Sequence, residues 1–253
     1  MNSLLVATLV FGFAFGGGLV GIALHYKLPE CRQEDDSRDV VKLVMGLVAS
    51  IFALVLGLLI YSARISFAAQ ESDVQQLGAG IGQLDRALAI YGPETKEARD
   101  LLREYVAGEL NRIWPKDGDA NVGLGPPSAR DVGDELADRI ASLSPKTDIQ
   151  QLGKGRALQL VAQLGETRRL LAEQSSGLLS WSFLAVLVSW VTALFVGYGF
   201  LTRYNAVILT SLFVGASCVA GAFFLIVDMN RPYSGLMHIS SAPVRNALDQ
   251  IGR

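Results

Sequence analysis

Residues 43–63 read LVMGLVASIFALVLGLLIYSA, 21 consecutive residues without a charge. Wound as an α-helix, such a segment rises about 30 Å, the thickness of a bilayer's hydrocarbon core. A helix on the surface of a water-soluble domain places a charge on its solvent side every turn or so. Three further stretches share the property: 2–24, 177–202 and 204–227. Together they predict an all-α integral membrane protein with four transmembrane helices, at about 3–24, 43–63, 177–201 and 205–228. The first stretch does not resemble a signal peptide. No Lys or Arg precedes Leu4, and His25-Tyr26-Lys27-Leu28-Pro29 is not a small-residue cleavage site.

Working outward from the second span, residues 25–42 form a short polar loop back to the first. A turn at Thr202-Arg203-Tyr204-Asn205 joins the third span to the fourth. The spans thus pair into two hairpins, covering residues 1–63 and 177–228. An extramembrane helical domain, 64–176, is inserted between the second and third spans, and 229–253 is left as a C-terminal tail. The inserted region carries 14 basic and 17 acidic residues, which keeps it out of lipid.

Nothing between Ala63 and Ile90 stops a helix, although Gly78, Gly80 and Gly82 weaken one. Val74, Leu77, Ile81, Leu84, Leu88 and Tyr91 follow at steps of three and four, a coiled-coil-like seam along one face. The second span is therefore expected to continue well outside the membrane. Gly92-Pro93 reads as a stop and restart, because Gly suits the position just past a helix and Pro the first turn of the next. The next helix is expected to reach about Ile113, with Leu102, Val106, Leu110 and Ile113 on its inner side. Residues 115–127, with three prolines and three glycines, read as a loop. Helix resumes from about Ser128 to Leu143, breaks at Ser144-Pro145, and starts again at Thr147. For that last helix Ile149, Leu152, Leu160, Leu164 and Leu171 are the expected inner face, and it is expected to feed directly into the third span.

The balance of 22 basic and 24 acidic residues offers no electrostatic footprint for nucleic acid. The two cysteines, Cys31 and Cys218, lie in a loop and a span and are not expected to pair. No hydrolase, kinase, metal or dinucleotide motif is present, so the reading is of a protein that is not an enzyme and needs no metal or cofactor. His25 and His238 fall near membrane boundaries and read as interfacial polar residues. No charge lies deep in a span, which disfavours an ion-coupled transporter.

Three ordered motifs carry a family resemblance. The first is Lys42-Leu43-Val44 with Gly46-Leu47-Val48-Ala49 and the Leu-Gly-Leu-Leu of 56–59. The second is Leu84-Asp85-Arg86-Ala87-Leu88-Ala89 followed by Tyr91-Gly92-Pro93-Glu94. The third follows the fourth span: Asp228, then Arg231-Pro232-Tyr233-Ser234-Gly235 and Ile239-Ser240. In this the chain resembles the bestrophin-like membrane proteins of bacteria and plants. The resemblance implies a relation to bestrophins, which are oligomeric anion channels, although their aromatic-rich pore neck has no counterpart here.

Two functions stand on this reading. The first is an oligomeric anion channel of the inner membrane with its pore on the subunit axis, whose partners are the bilayer, copies of itself and inorganic anions. Val44, Leu47, Ile51, Leu54 and Leu58 would then constrict the path, with Ser50 the polar mid-span residue. The pore mouth or signature run would be Asp228, Arg231, Pro232, Tyr233 and Gly235. The second is a non-conducting scaffold or sensor whose helical domain binds a partner. Asp228 reads either as a helix-end tie or as a member of a charged ring. The small residues Gly12, Gly16, Gly17, Gly18 and Gly21, then Ala49, Ala53 and Gly57, then Ser211, Gly215, Ser217 and Gly221 read either as close-packing positions or as sliding surfaces in gating. Ser182, Ser189 and Thr192 read either as bonds between helices or as the lining of an aqueous path. Counted by Lys and Arg near the span ends, the side that holds the termini and the inserted domain is the more basic, which points to the cytoplasm.

Overall fold

The computed structural model describes residues 2–27, 35–114, 128–174, 181–202, 204–233 and 235–252. Among them the chain is all helical: α1 Ser3–Lys27, α2 Asp35–Tyr91, a 3₁₀ turn Pro93–Thr95, α3 Lys96–Ile113, α4 Ser128–Ala141, α5 Asp148–Gln174, α6 Trp181–Leu201, α7 Ala206–Met229 and α8 Ala242–Gln250. Four of these helices, α1, α2, α6 and α7, are long and apolar enough to cross a membrane. The expectations placed on Cys31, on the 115–127 loop and on the entry into the third span lie outside the described residues.

The chain divides into two compact units. One is Met1–Ser66 with Gly177–Arg231, and the other is Phe67–Ser176 with Pro232–Arg253. In the first unit α1 packs against α6 and α7. Val6 and Val10 of α1, Leu184, Leu187, Val191 and Leu194 of α6, Phe223 of α7 and Phe52 of α2 form its core. Phe52 meets Trp190 edge to face, with ring centroids 5.9 Å apart. Glycine decides how closely α1 and α6 approach. A Cβ on Gly21 would overlap the Val196 carbonyl, and one on Gly199 would overlap the Gly18 carbonyl. Around Gly12, Gly16, Gly57 and Gly221 there is open space instead. The α6–α7 corner is tied by Asn205, whose side chain accepts a hydrogen bond from the Val207 amide at 3.4 Å.

In the second unit the seam on α2 is buried. Val74, Ile81, Leu84, Leu88 and Tyr91 are enclosed, and Leu77 is half-buried. The corner after Tyr91 forms where Gly92 takes φ +128°. Fully buried Thr95 locks that corner, its hydroxyl reaching the Leu88 carbonyl at 2.6 Å and the Gly92 carbonyl at 2.8 Å. Leu102, Val106, Leu110 and Ile113 of α3 face inward. Lys154 of α5 donates to the Ala141 and Leu143 carbonyls at the end of α4, where a cation is favoured.

Three expectations change. Ile149 and Leu152 are exposed; α5 buries Ala157, Leu160 and Leu171, with Leu164 half-buried. The physical reason is register: Ile149, Leu152 and Arg156 share one helix row, and Gly153, Ala157, Leu160 and Leu164 share the next. The glycines of α2 do more than weaken it. A Cβ on Gly78 would come 2.7 Å from the Pro243 carbonyl oxygen, and one on Gly80 would come 2.9 Å from the Leu164 side chain. Residues 232–253 are not a separate tail: they join the second unit, where α8 buries Val244 and Ala247 and packs against α3.

Candidate functional site

The candidate site is the uncovered side of α2. Its span is the least covered of the four, with 6% of the most apolar window buried against 33% for α1, 28% for α6 and 17% for α7. Met45, Val48, Ala49, Val55, Leu56 and Leu59 pack, with Phe52, into the core of the first unit on the inner side. On the outer side stand Val44, Leu47, Ile51, Leu54 and Leu58, between 46 and 65% exposed. Ser50 is exposed on the same side, and its hydroxyl donates to the Gly46 carbonyl of its own helix at 2.9 Å. The structure therefore brings all six pore-lining candidates onto one uncovered strip, because residues three and four apart share a helix face.

The signature run after α7 divides between the units. In the first, Asp228 is wholly enclosed, and its carboxylate accepts a hydrogen bond from the Ser3 hydroxyl at 2.8 Å. The Arg231 amide donates to the Asp228 carbonyl at 3.0 Å, closing the turn that ends the helix. In the second unit, the Ile239 amide donates to the Pro232 carbonyl at 2.7 Å. Gly235 lies at φ +136° within the loop so closed. The Trp114 indole N–H donates to the Ile239 carbonyl at 2.9 Å, and its ring meets Tyr233 edge to face at 5.5 Å. The signature is thus a clasp that holds the chain after α7 against the end of α3. The Trp114–Ile239 bond escaped the sequence reading because it joins positions 125 residues apart. The indole of Trp114, set immediately before Pro115, was the one signal that a buried donor needed a partner.

The Tyr233 hydroxyl is buried with no hydrogen-bond partner among the described residues. Burial, helped by the nearby charge of Asp73, pushes its pKa up to about 12. A phenol held neutral in the folded state and titrating near 10 when unfolded leaves stability intact below pH 10, and that stability is lost as pH rises through 12. Alkaline unfolding of the wild type is expected to steepen between pH 10 and 12. Tyr233→Phe is expected to abolish that step with little cost at neutral pH, since no hydrogen bond is lost. A pH series of thermal melts measures it, and an unchanged alkaline step in the variant would contradict the assignment.

Other candidates are placed as follows. Nδ1 of His25 donates to the Phe200 carbonyl at 2.9 Å, and His238 is exposed. Among the described residues no group of His, Cys, Asp or Glu is arranged to hold a metal ion. Ser189 and Thr192 bond carbonyls of their own helix, Val186 at 2.8 Å and Val188 at 2.7 Å, rather than a neighbouring helix. Both line an apolar groove of about 910 Å³ between α1 and α6.

The chain matches no curated protein and no solved structure. The family model of the Bestrophin-like domain matches residues 12–244, a span that runs from within α1 through the clasp and into α8. Four apolar helices, an uncovered second span and the clasp thus occur in a chain that belongs to the Bestrophin-like family.

Proposed function

We propose that this protein is one subunit of an oligomeric, anion-conducting channel, and not an enzyme, with its pore on the axis shared by the subunits. The uncovered strip of α2 lines that pore: Val44, Leu47, Ile51, Leu54 and Leu58 as constrictions, Ser50 as the polar foothold. The observation that carries the reading is the small coverage of α2. A span so lightly packed in its own bundle is the one most open to neighbouring copies. Family membership supports the choice of anions through the relation to bestrophins. A pore walled by aliphatic side chains gates by wetting and dewetting, which makes its conductance sensitive to side-chain bulk. The hairpin pairing of the spans and the setting in the inner membrane belong to the same proposal. So does the cytoplasmic placement of the termini and the 64–176 region, which rests on Arg64, Lys154, Arg156, Arg168, Arg169, Arg231 and Arg245 against Lys27, Arg32, Arg38, Lys42 and Arg203.

Anion flux from liposomes holding the purified protein tests it. Leu54→Trp is expected to lower flux about tenfold or more at unchanged protein insertion, by narrowing a hydrophobic constriction. Gly12→Ala, on open surface of α1, is expected to leave flux unchanged. Inserted, oligomeric protein that passes no anion across a range of pH, Ca²⁺ and voltage would sink the channel and leave the scaffold reading.

A further inference from the structure

The second unit has a surface that solvation alone does not account for. The solvent side of α2 presents Gln76, Ala79, Gln83, Arg86 and Ile90, with a single charge over four turns. Beside it α5 presents Ile149, Leu152, Arg156 and Gln159. Two bonds set the register of these antiparallel helices. The Arg156 guanidinium donates to the Gln83 side-chain oxygen at 3.4 Å, and Nε2 of the Gln150 side chain donates to the Tyr91 carbonyl at 3.0 Å. Seven residues forward from Gln83 and seven back from Arg156 both advance about 10.5 Å the same way, which sets Ile90 level with Ile149. Ile90, Ile149 and Leu152 are 63, 67 and 75% exposed. One such residue is ordinary, but three large aliphatics at one place outside the membrane mark a contact surface.

The chain carries a complement to this surface. Helix α3 bonds α2 through Arg99–Asp85 and packs against α4, and α5 likewise bonds α2 and packs against α4. Helix α4 turns Leu136 and Ile140 inward and Asp134, Glu135 and Asp138 outward around an open concavity of about 630 Å³. Arg139 at its edge is paired with Glu97 at 3.3 Å, which leaves the concavity acidic. Lys154 ties the end of α4 to the first turns of antiparallel α5, so Asp138, three residues before Ala141, lies about level with Arg156 and within roughly two turns of Leu152. Rotation about an axis parallel to these helices preserves level. It therefore carries the acidic face of one copy to the arginines and aliphatics of the next.

We propose that copies of this chain join head to tail through their second units. The α4 face of one, with Asp134, Glu135 and Asp138, seats on Arg86, Arg156 and the Ile90–Ile149–Leu152 patch of its neighbour. The contact is heterologous and closes into a ring, the symmetry that an axial pore requires. It supplies the partner for the oligomer proposed above and rests on that reading.

The test uses the full-length protein in detergent and in liposomes. With Cys31→Ser and Cys218→Ser as background, Asp138→Cys and Arg156→Cys in one chain are expected to give a covalent ladder of oligomers on mild oxidation. Arg156→Glu alone is expected to shift oligomer dissociation to about tenfold higher protein concentration. Adding Asp138→Arg is expected to restore it. An oligomer that conducts but gives no ladder and ignores both charge changes overturns this contact and leaves the channel standing. A ladder with charge rescue but no flux upholds the contact and overturns the channel. A monomer at every concentration overturns both.

Discussion

Gly199→Val or Gly21→Val is expected to disrupt the membrane bundle more than any other single change. Each glycine faces a backbone carbonyl across the α1–α6 contact, Gly21 that of Val196 and Gly199 that of Gly18. A flexible side chain can yield to a new methyl group, but a carbonyl inside a hydrogen-bonded helix cannot. The helices must then separate, losing the dispersion contacts that hold them in lipid, where no hydrophobic effect drives them together. Overpacking costs about 1–3 kcal/mol where side chains adjust, and the upper end applies here because backbone meets backbone. For a chain of this size about 3 kcal/mol lowers the midpoint by roughly 6–12 °C. Thermal melting in detergent, followed by tryptophan fluorescence, measures it. Gly16→Ala is the control, since nothing lies within 4 Å of a Cβ there. A Gly199→Val protein that melts with the wild type would show that α1 and α6 do not meet through their glycines.

Asp85→Ala should be the most damaging change at a charged position of the second unit. The Asp85 carboxylate receives two bonds from Arg99, at 2.7 and 3.0 Å, and the two side chains are only 12 and 21% exposed. The bond to Asp85 holds the Arg99 guanidinium pKa above its ordinary value. Removing the carboxylate strands a cation between α2 and α3, at a cost of about 2–3 kcal/mol for a pair with this much residual solvent contact. Adding Arg99→Met should recover part of the loss, because the stranded charge goes with it. The double-mutant cycle is read from thermal or denaturant midpoints in detergent. If Asp85→Ala and the double variant match the wild type, the pair contributes nothing to the junction of α2 with α3.

Along α2 the sequence could be followed almost residue by residue. Charge avoidance from 43 to 63 marks its span, and the steps of three and four from Val74 to Tyr91 mark its buried face. Two equally apolar rows of one helix cannot be told apart from the sequence. Ile149 and Leu152 looked as fit for burial as Ala157 and Leu160, and only the register of α5 against α2 separates them. Nor are partners legible when they are remote in the chain. Asp85 and Arg99 sit 14 residues apart across a corner, and Trp114 and Ile239 sit 125 apart. Helix α8 is not legible because nine residues, however amphipathic, are too short to hold a helix without the partner they pack on.

What the chain determined by itself is which helices are long and apolar enough to cross a membrane, since charge-free length belongs to each segment alone. The stop at Gly92-Pro93 is local in the same sense, because it needs only a backbone free to take positive φ and a ring that restarts the helix. Which glycines touch and which face open space, which leucines are covered, and how the strand of chain after α7 is clasped by Trp114 are decided only on folding. Each depends on the rotation of one helix about its axis relative to another. That rotation is set by the sum of many weak contacts and is written in no single segment.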